Sequence, residues 1–139
     1  MGLPSGITVR PMRERVTGIG GVFMRSKDPN ALARWYLEHL GIDAMSSDAD
    51  RVWWQEGGPT VWAPFDDDTD YFGRREQSWM INFRVADLDA MIAQLREGGV
   101  KVDDEVQDME GIGRFGWGTD PDGNRFELWQ PAPEATKRT

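Results

Sequence analysis

A chain of 139 residues with a formal net charge of −8, one histidine and no cysteine has the size of a single soluble domain. The missing cysteines exclude disulfides, thiolate metal sites and a cysteine nucleophile, and His39 alone cannot build a multi-histidine metal site within one chain. The acid excess argues against nucleic acid as a partner, because phosphate contacts need a basic face. No apolar run approaches the roughly 18 residues of a membrane span, and Met1–Arg15 has no apolar core of signal-peptide length, so a cytoplasmic location is the expectation.

After the tail 1–15, the first patterned stretch is extended. Ile19, Gly21, Phe23 and Arg25 alternate with Val22 and Met24, the period of two of a strand. A helix follows, with Asp28 as its cap, Pro29 at its first position, and Leu32, Trp35, Tyr36 and Leu40 at helical spacing. Gly41 supplies a left-handed stop, and His39 near that end suits the helix dipole. Short strands are then expected near 42–47, 52–55 and 60–64, with the consecutive Trp53 and Trp54 facing opposite sides. The segment 65–78 is acidic (Asp66-Asp-Asp-Thr-Asp70) and without periodicity, and reads as a surface linker.

The pattern then starts again. Trp79, Ile81, Phe83 and Val85 alternate with Met80, Asn82 and Arg84, and a helix runs from Asp87 through Leu88, Met91, Ile92 and Leu95 to Gly98-Gly99. Strands are expected near 100–107, 112–119 and 124–130. Trp117 lies among glycines that suit close approach of another backbone, and Asp120-Pro-Asp-Gly-Asn124 is a strong turn signal. The tail 132–139 carries no pattern and is expected to be mobile.

The second stretch repeats the first. Arg25 falls on Arg84, Asp28 on Asp87, Ala31 on Ala90, Glu38 on Glu97 and, after one deletion, Gly41 on Gly99; later, Trp62 falls on Trp129. The chain 1–139 is therefore read as one α+β domain built from two tandem βαβββ modules, approximately 16–64 and 79–131.

The strings Phe23-Met-Arg-Ser-Lys-Asp28, Trp35-Tyr-Leu-Glu-His-Leu-Gly41, Phe83-Arg-Val-Ala-Asp-Leu-Asp89 and Thr119-Asp-Pro-Asp-Gly-Asn-Arg-Phe-Glu-Leu-Trp129 resemble the vicinal oxygen chelate superfamily, of glyoxalase, bleomycin-resistance and extradiol dioxygenase type. The resemblance implies a cupped mixed sheet with a ligand inside. It also implies four metal-ligand positions, which map to Gly21, Thr60, Met80 and Glu127. Only Glu127 is a competent ligand, and a catalytic divalent metal needs about three protein donors, so no metal or other cofactor is expected.

Residues two apart on a strand share a face. Phe23 and Arg25 therefore go with Gly21, Trp62 with Thr60, Asn82 and Arg84 with Met80, and Arg125 and Trp129 with Glu127. The expected cavity has aromatic walls, one carboxylate and guanidinium groups near its rim, with Phe23, Arg25, Trp62, Asn82, Arg84 and Trp129 as ligand-binding residues. Glu127 is either a satisfied partner, with one of those arginines, or a general base. The leading expectation is a metal-free binder of a small organic molecule, working as a homodimer with Trp35 or Trp53 at its interface. The alternatives are a lyase or isomerase using Glu127 as base, and a non-catalytic assembly subunit.

Overall fold

The structure is a computed structural model, and it describes residues 13–43 and 52–138. Helix α1 (Pro29–Leu40) begins where Asp28 accepts a hydrogen bond from Ala31 N at 3.1 Å and ends at Gly41, whose φ of 71° is left-handed. The second helix, α2 (Leu88–Glu97), is capped in the same way by Asp87, which accepts from Ala90 N at 3.0 Å. Both caps and both helices lie where residue spacing predicts them.

The strands are β1 (Ile81–Arg84), β2 (Lys101–Val102), β3 (Gln107–Met109), β4 (Gly113–Thr119) and β5 (Arg125–Pro131). They form one mixed open sheet in the order β1-β5-β4-β2, with β3 also on β4. The β1–β5 pair is parallel and the other pairs are antiparallel. The α+β class and the βαβββ path of the second module agree with the sequence reading. One refinement concerns the strand expected near 100–107, which divides into β2 and β3.

One face of this sheet carries the core. Phe126 and Leu128 of β5 are buried with Leu88, Ile92, Leu95 and Val100, and Phe83 packs beside them. Fully burying a Leu or Phe side chain stabilises by about 1.5–3 kcal/mol, so this cluster dominates the energetics of the second module. Gly116 and Gly118 of β4 make room for it. A Cβ at Gly116 would meet Ile92 Cδ1 at 3.1 Å, and one at Gly118 would meet the Phe126 ring at 2.5 Å. The glycines around Trp117 therefore admit side chains, not the second backbone expected from sequence.

Helix α1 joins the same face. The ring of Trp35 lies 6.2 Å from that of Phe126, and Tyr36 lies 6.2 Å from Phe83. The Tyr36 hydroxyl donates to Asp120 Oδ2 at 2.7 Å. Asp120, in the Asp120–Asn124 turn, is buried and also accepts from Asp122 N, Asn124 N and Asn124 Nδ2. The turn motif thus fixes a hairpin and anchors the first module's helix at once. Trp35 is half-buried and packs against the core of the second module.

The strands expected in the first module are not seen among the described residues. Residues 16–25 and 52–64 carry no ladder, and the strand expected near 42–47 lies largely outside the described residues. Alternation encodes two faces of a segment but does not name the neighbour that completes its backbone hydrogen bonds. The segment after Pro131 departs from expectation in the other direction. It turns into a 3-10 helix, Pro133–Thr136, tied by Ala132 N donating to Ile112 O at 2.9 Å.

Candidate ligand site

Strand register assembles the site on the sheet face opposite α2. Across β1 and β5, Asn82 pairs with Glu127 and Arg84 with Trp129; across β5 and β4, Glu127 pairs with Trp117 and Trp129 with Phe115. Asn82, Glu127 and Trp117 therefore form one row over three strands. Arg84, Trp129 and Phe115 form the next, with Trp129 and Phe115 parallel and their ring centroids 6.0 Å apart.

Glu127 is only 8% exposed and sits at the centre of the first row. Its Oε1 accepts from Asn82 Nδ2 at 2.7 Å, and its Oε2 accepts from Trp117 Nε1 at 3.1 Å and from the Tyr71 hydroxyl. Three neutral donors satisfy the carboxylate. The arginine partner proposed from sequence is absent among the described contacts of Glu127. Arg84 spends its guanidinium on backbone, donating to Glu56 O at 2.7 Å and to Pro59 O. Arg125, on the same face, bridges to Asp103 at 2.8 Å and lies 5.5 Å from the centroid of the Trp117 ring.

Tyr71 is the residue that sequence reasoning missed. It belongs to the acidic segment 65–78, which is not a bare surface linker. Local turns fold it, including Gly73 N donating to Asp70 O, and its end is bound to β5 by two Gln77–Arg125 hydrogen bonds of 2.7 Å each. Arg125 Nε also donates to Tyr71 O at 3.2 Å. The phenol is thereby delivered to Glu127 between two aromatic rings. Phe65 stacks on it at 5.5 Å with 15° between planes, and Trp117 stands at 90° to it at 6.2 Å. Burial, and then the hydrogen bond to the Glu127 carboxylate, push the Tyr71 hydroxyl up to about 12. The signal available in sequence was an aromatic pair, Tyr71-Phe72, interrupting an acidic run.

The structure thus gathers Asn82 and Glu127 as expected, with Trp129 on the same face and almost fully buried. Trp129 is held by its Nε1 donating to Ile112 O at 3.0 Å. It does not enclose the first-module residues. Phe23 is 93% exposed and Trp62 73% exposed, and Arg25 is exposed as well. Trp62 meets Trp79 edge-on at 6.4 Å. These three residues need strands to present them, and the segments that carry them have no ladder.

A metal does not fit the implied positions. Gly21 has no donor, Met80 offers a thioether, Thr60 a hydroxyl, and both oxygens of Glu127 are already taken by N–H and O–H donors. No group of three or more His, Cys, Asp or Glu side chains with metal-binding geometry occurs among the described residues. A cation at Glu127 would have to displace three donors and find two further ligands.

The family profile described as a glyoxalase-like domain matches residues 21–129. No curated protein matches the chain. Among solved structures, it is similar to TnmS3, an antibiotic binding protein from Streptomyces sp. CB03234, at 29% identity and a TM-score of 0.49, with 76% of this chain and 88% of that chain covered. The fold also matches the genomically encoded fosfomycin resistance protein FosX from Listeria monocytogenes at 18% identity and a TM-score of 0.59, covering 87% and 98%. A glyoxalase-related enzyme from Fulvimarina pelagi matches at 17% identity and 0.52, covering 89% and 98%. The chain belongs to the glyoxalase-like domain family.

Proposed function

We propose that this protein is a metal-free binder of a small organic molecule, held on the sheet face around Glu127, and that it works as a homodimer. The observation that carries this reading is the engagement of both Glu127 oxygens by Tyr71, Asn82 and Trp117. A carboxylate with both oxygens engaged, Oε2 twice and Oε1 once, serves as a fixed acceptor that orders its surroundings. Its bound geometry favours this acceptor role over that of a general base, which needs a lone pair directed at a substrate proton. Aromatic rings with a few convergent polar groups are the usual lining of a small-molecule site.

The dimer is supported by an outer edge on β1 that no described strand pairs with, and by exposed Val22, Phe23, Trp54, Val61, Trp62 and Trp79. Apolar side chains of this size in water, beside a sheet edge unpaired among the described residues, favour burial against a second chain.

Two measurements test the function. Protein expressed with nickel, zinc, manganese and iron in the medium should carry well under one equivalent of any of them; stoichiometric tight metal overturns the metal-free reading. A thermal-shift and tryptophan-fluorescence screen of small aromatic and heteroaromatic molecules should return compounds that stabilise the fold. A broad screen with neither response overturns the binder reading.

A further inference from the structure

Tyr71 occupies its place as a bound ligand would. Its ring face lies on Phe65, its edge is set by the perpendicular Trp117, and its hydroxyl donates to Glu127 Oε2. The same hydroxyl accepts from Trp117 Nε1 at 3.2 Å, a proton that Trp117 also directs at Glu127 Oε2 at 3.1 Å. The end of this slot requires a group that gives one hydrogen bond and accepts another. A hydroxyl does both, whereas an ammonium only donates and a carboxylate only accepts.

Charge narrows the class further. Glu127 closes the slot to an anion, and Trp117 Nε1, which needs an acceptor at this position, disfavours an ammonium. What remains is a neutral hydroxyl on a flat ring. Tyr71 is tethered only through the backbone of its segment, is half-buried, and its ring neighbour Phe65 is about half exposed, so rotation of one side chain vacates the slot towards solvent.

We propose that the slot bounded by Phe65, Trp117 and Glu127 is a binding site for phenolic ligands, and that Tyr71 is its internal occupant, which an incoming phenol displaces. This deepens the small-molecule reading above and rests on it. Displacement makes Tyr71 a specificity-determining residue. A ligand must replace both of its hydrogen bonds and its ring contacts, and one lacking the hydroxyl leaves a buried carboxylate oxygen short of a donor.

The test uses p-cresol, with toluene as the isostere lacking the hydroxyl, on the full chain and on Tyr71→Ala. Binding is followed by calorimetry and by the Trp117 indole N–H resonance, assigned with Trp117→Phe. In Tyr71→Ala, p-cresol should bind at least about tenfold more tightly than toluene, the effect expected of a hydroxyl on a charged acceptor. At about ten times its Kd it should raise Tm by roughly 5 °C. The unaltered protein should bind p-cresol at the same indole, about tenfold more weakly because Tyr71 competes. Binding to Tyr71→Ala with none to the unaltered protein at tenfold higher concentration overturns the proposal, since p-cresol then only fills an artificial cavity. Equal binding of toluene and p-cresol overturns it too. If neither form binds p-cresol while other molecules from the screen stabilise the protein, the phenol slot fails and the binder reading stands. Silence across the whole screen defeats both.

Discussion

At the scale of single residues, the protein's only two tyrosines both hydrogen-bond to carboxylates, Tyr71 to Glu127 and Tyr36 to Asp120. Burial first, and then the carboxylate partner, raise both phenols above the ordinary 10.0, Tyr71 to about 12 and Tyr36 further. A folded-state value above the unfolded one means that the folded chain keeps its proton longer. The resulting stability is fully present below pH 10 and is lost as pH rises through about 12. Absorbance at 295 nm should therefore stay flat through the range where free tyrosine ionises, and the urea midpoint should fall above it. A tyrosinate signal at the ordinary pH in folded protein would contradict both contacts. Glu127→Gln keeps the shape but presents an amide to three donors, and should cost about 1–3 kcal/mol in urea unfolding. Glu127 was legible through the family resemblance, and Asn82 because strand alternation puts it on the face of the mapped position Met80. Tyr71 was not, because its segment has no period to read.

At the scale of elements, the hairpin β4–β5 and its turn organise everything else. Gly113 sits at φ 139°, where a Cβ would lie 2.2 Å from Gln130 O and 2.7 Å from Trp129 Nε1. Gly113→Ala should therefore destabilise by about 3 kcal/mol or more, since both the backbone and the space oppose it, and should displace the Trp129 indole. Circular dichroism and near-ultraviolet spectra would show this; an unchanged Tm would refute it. The Asp120 side chain receives four hydrogen bonds, one of them from α1. Asp120→Ala should cost about 2–4 kcal/mol, as loss of a buried charged acceptor leaves several donors unpaired. Its distinguishing sign is faster amide exchange in α1 as well as in the turn. The motif was visible in sequence as a turn; its grip on a helix 84 positions earlier was not.

At the scale of the whole molecule, the two modules are unequal despite their repeated sequence. The second has a complete ladder and a buried core, whereas the described strand segments of the first have neither. The exposed Trp54, Trp62 and Trp79 belong to, or border, the segments without ladders. Sedimentation equilibrium at micromolar concentration should return twice the chain mass. Trp62→Ser should weaken that association about tenfold or more, as expected for a buried aromatic anchor. A monomer at that concentration would remove the dimer. His39 needs no such partner: its ring lies 5.1 Å from that of Trp35, and its carbonyl accepts from Gln94 of α2.

The amino-acid order alone determined the helices and their caps, the period-two faces of the second module, the tight turn, the repeat, and the poverty of metal donors. These are properties of near neighbours, set by backbone geometry and side-chain chemistry. Only the tertiary structure decided what meets Glu127, because a hydrogen bond between residues 56 positions apart depends on how a linker returns across a sheet. It also decided that Arg84 binds backbone and that the first module's alternating segments stand without ladders, since strand pairing joins distant segments that alternation does not name.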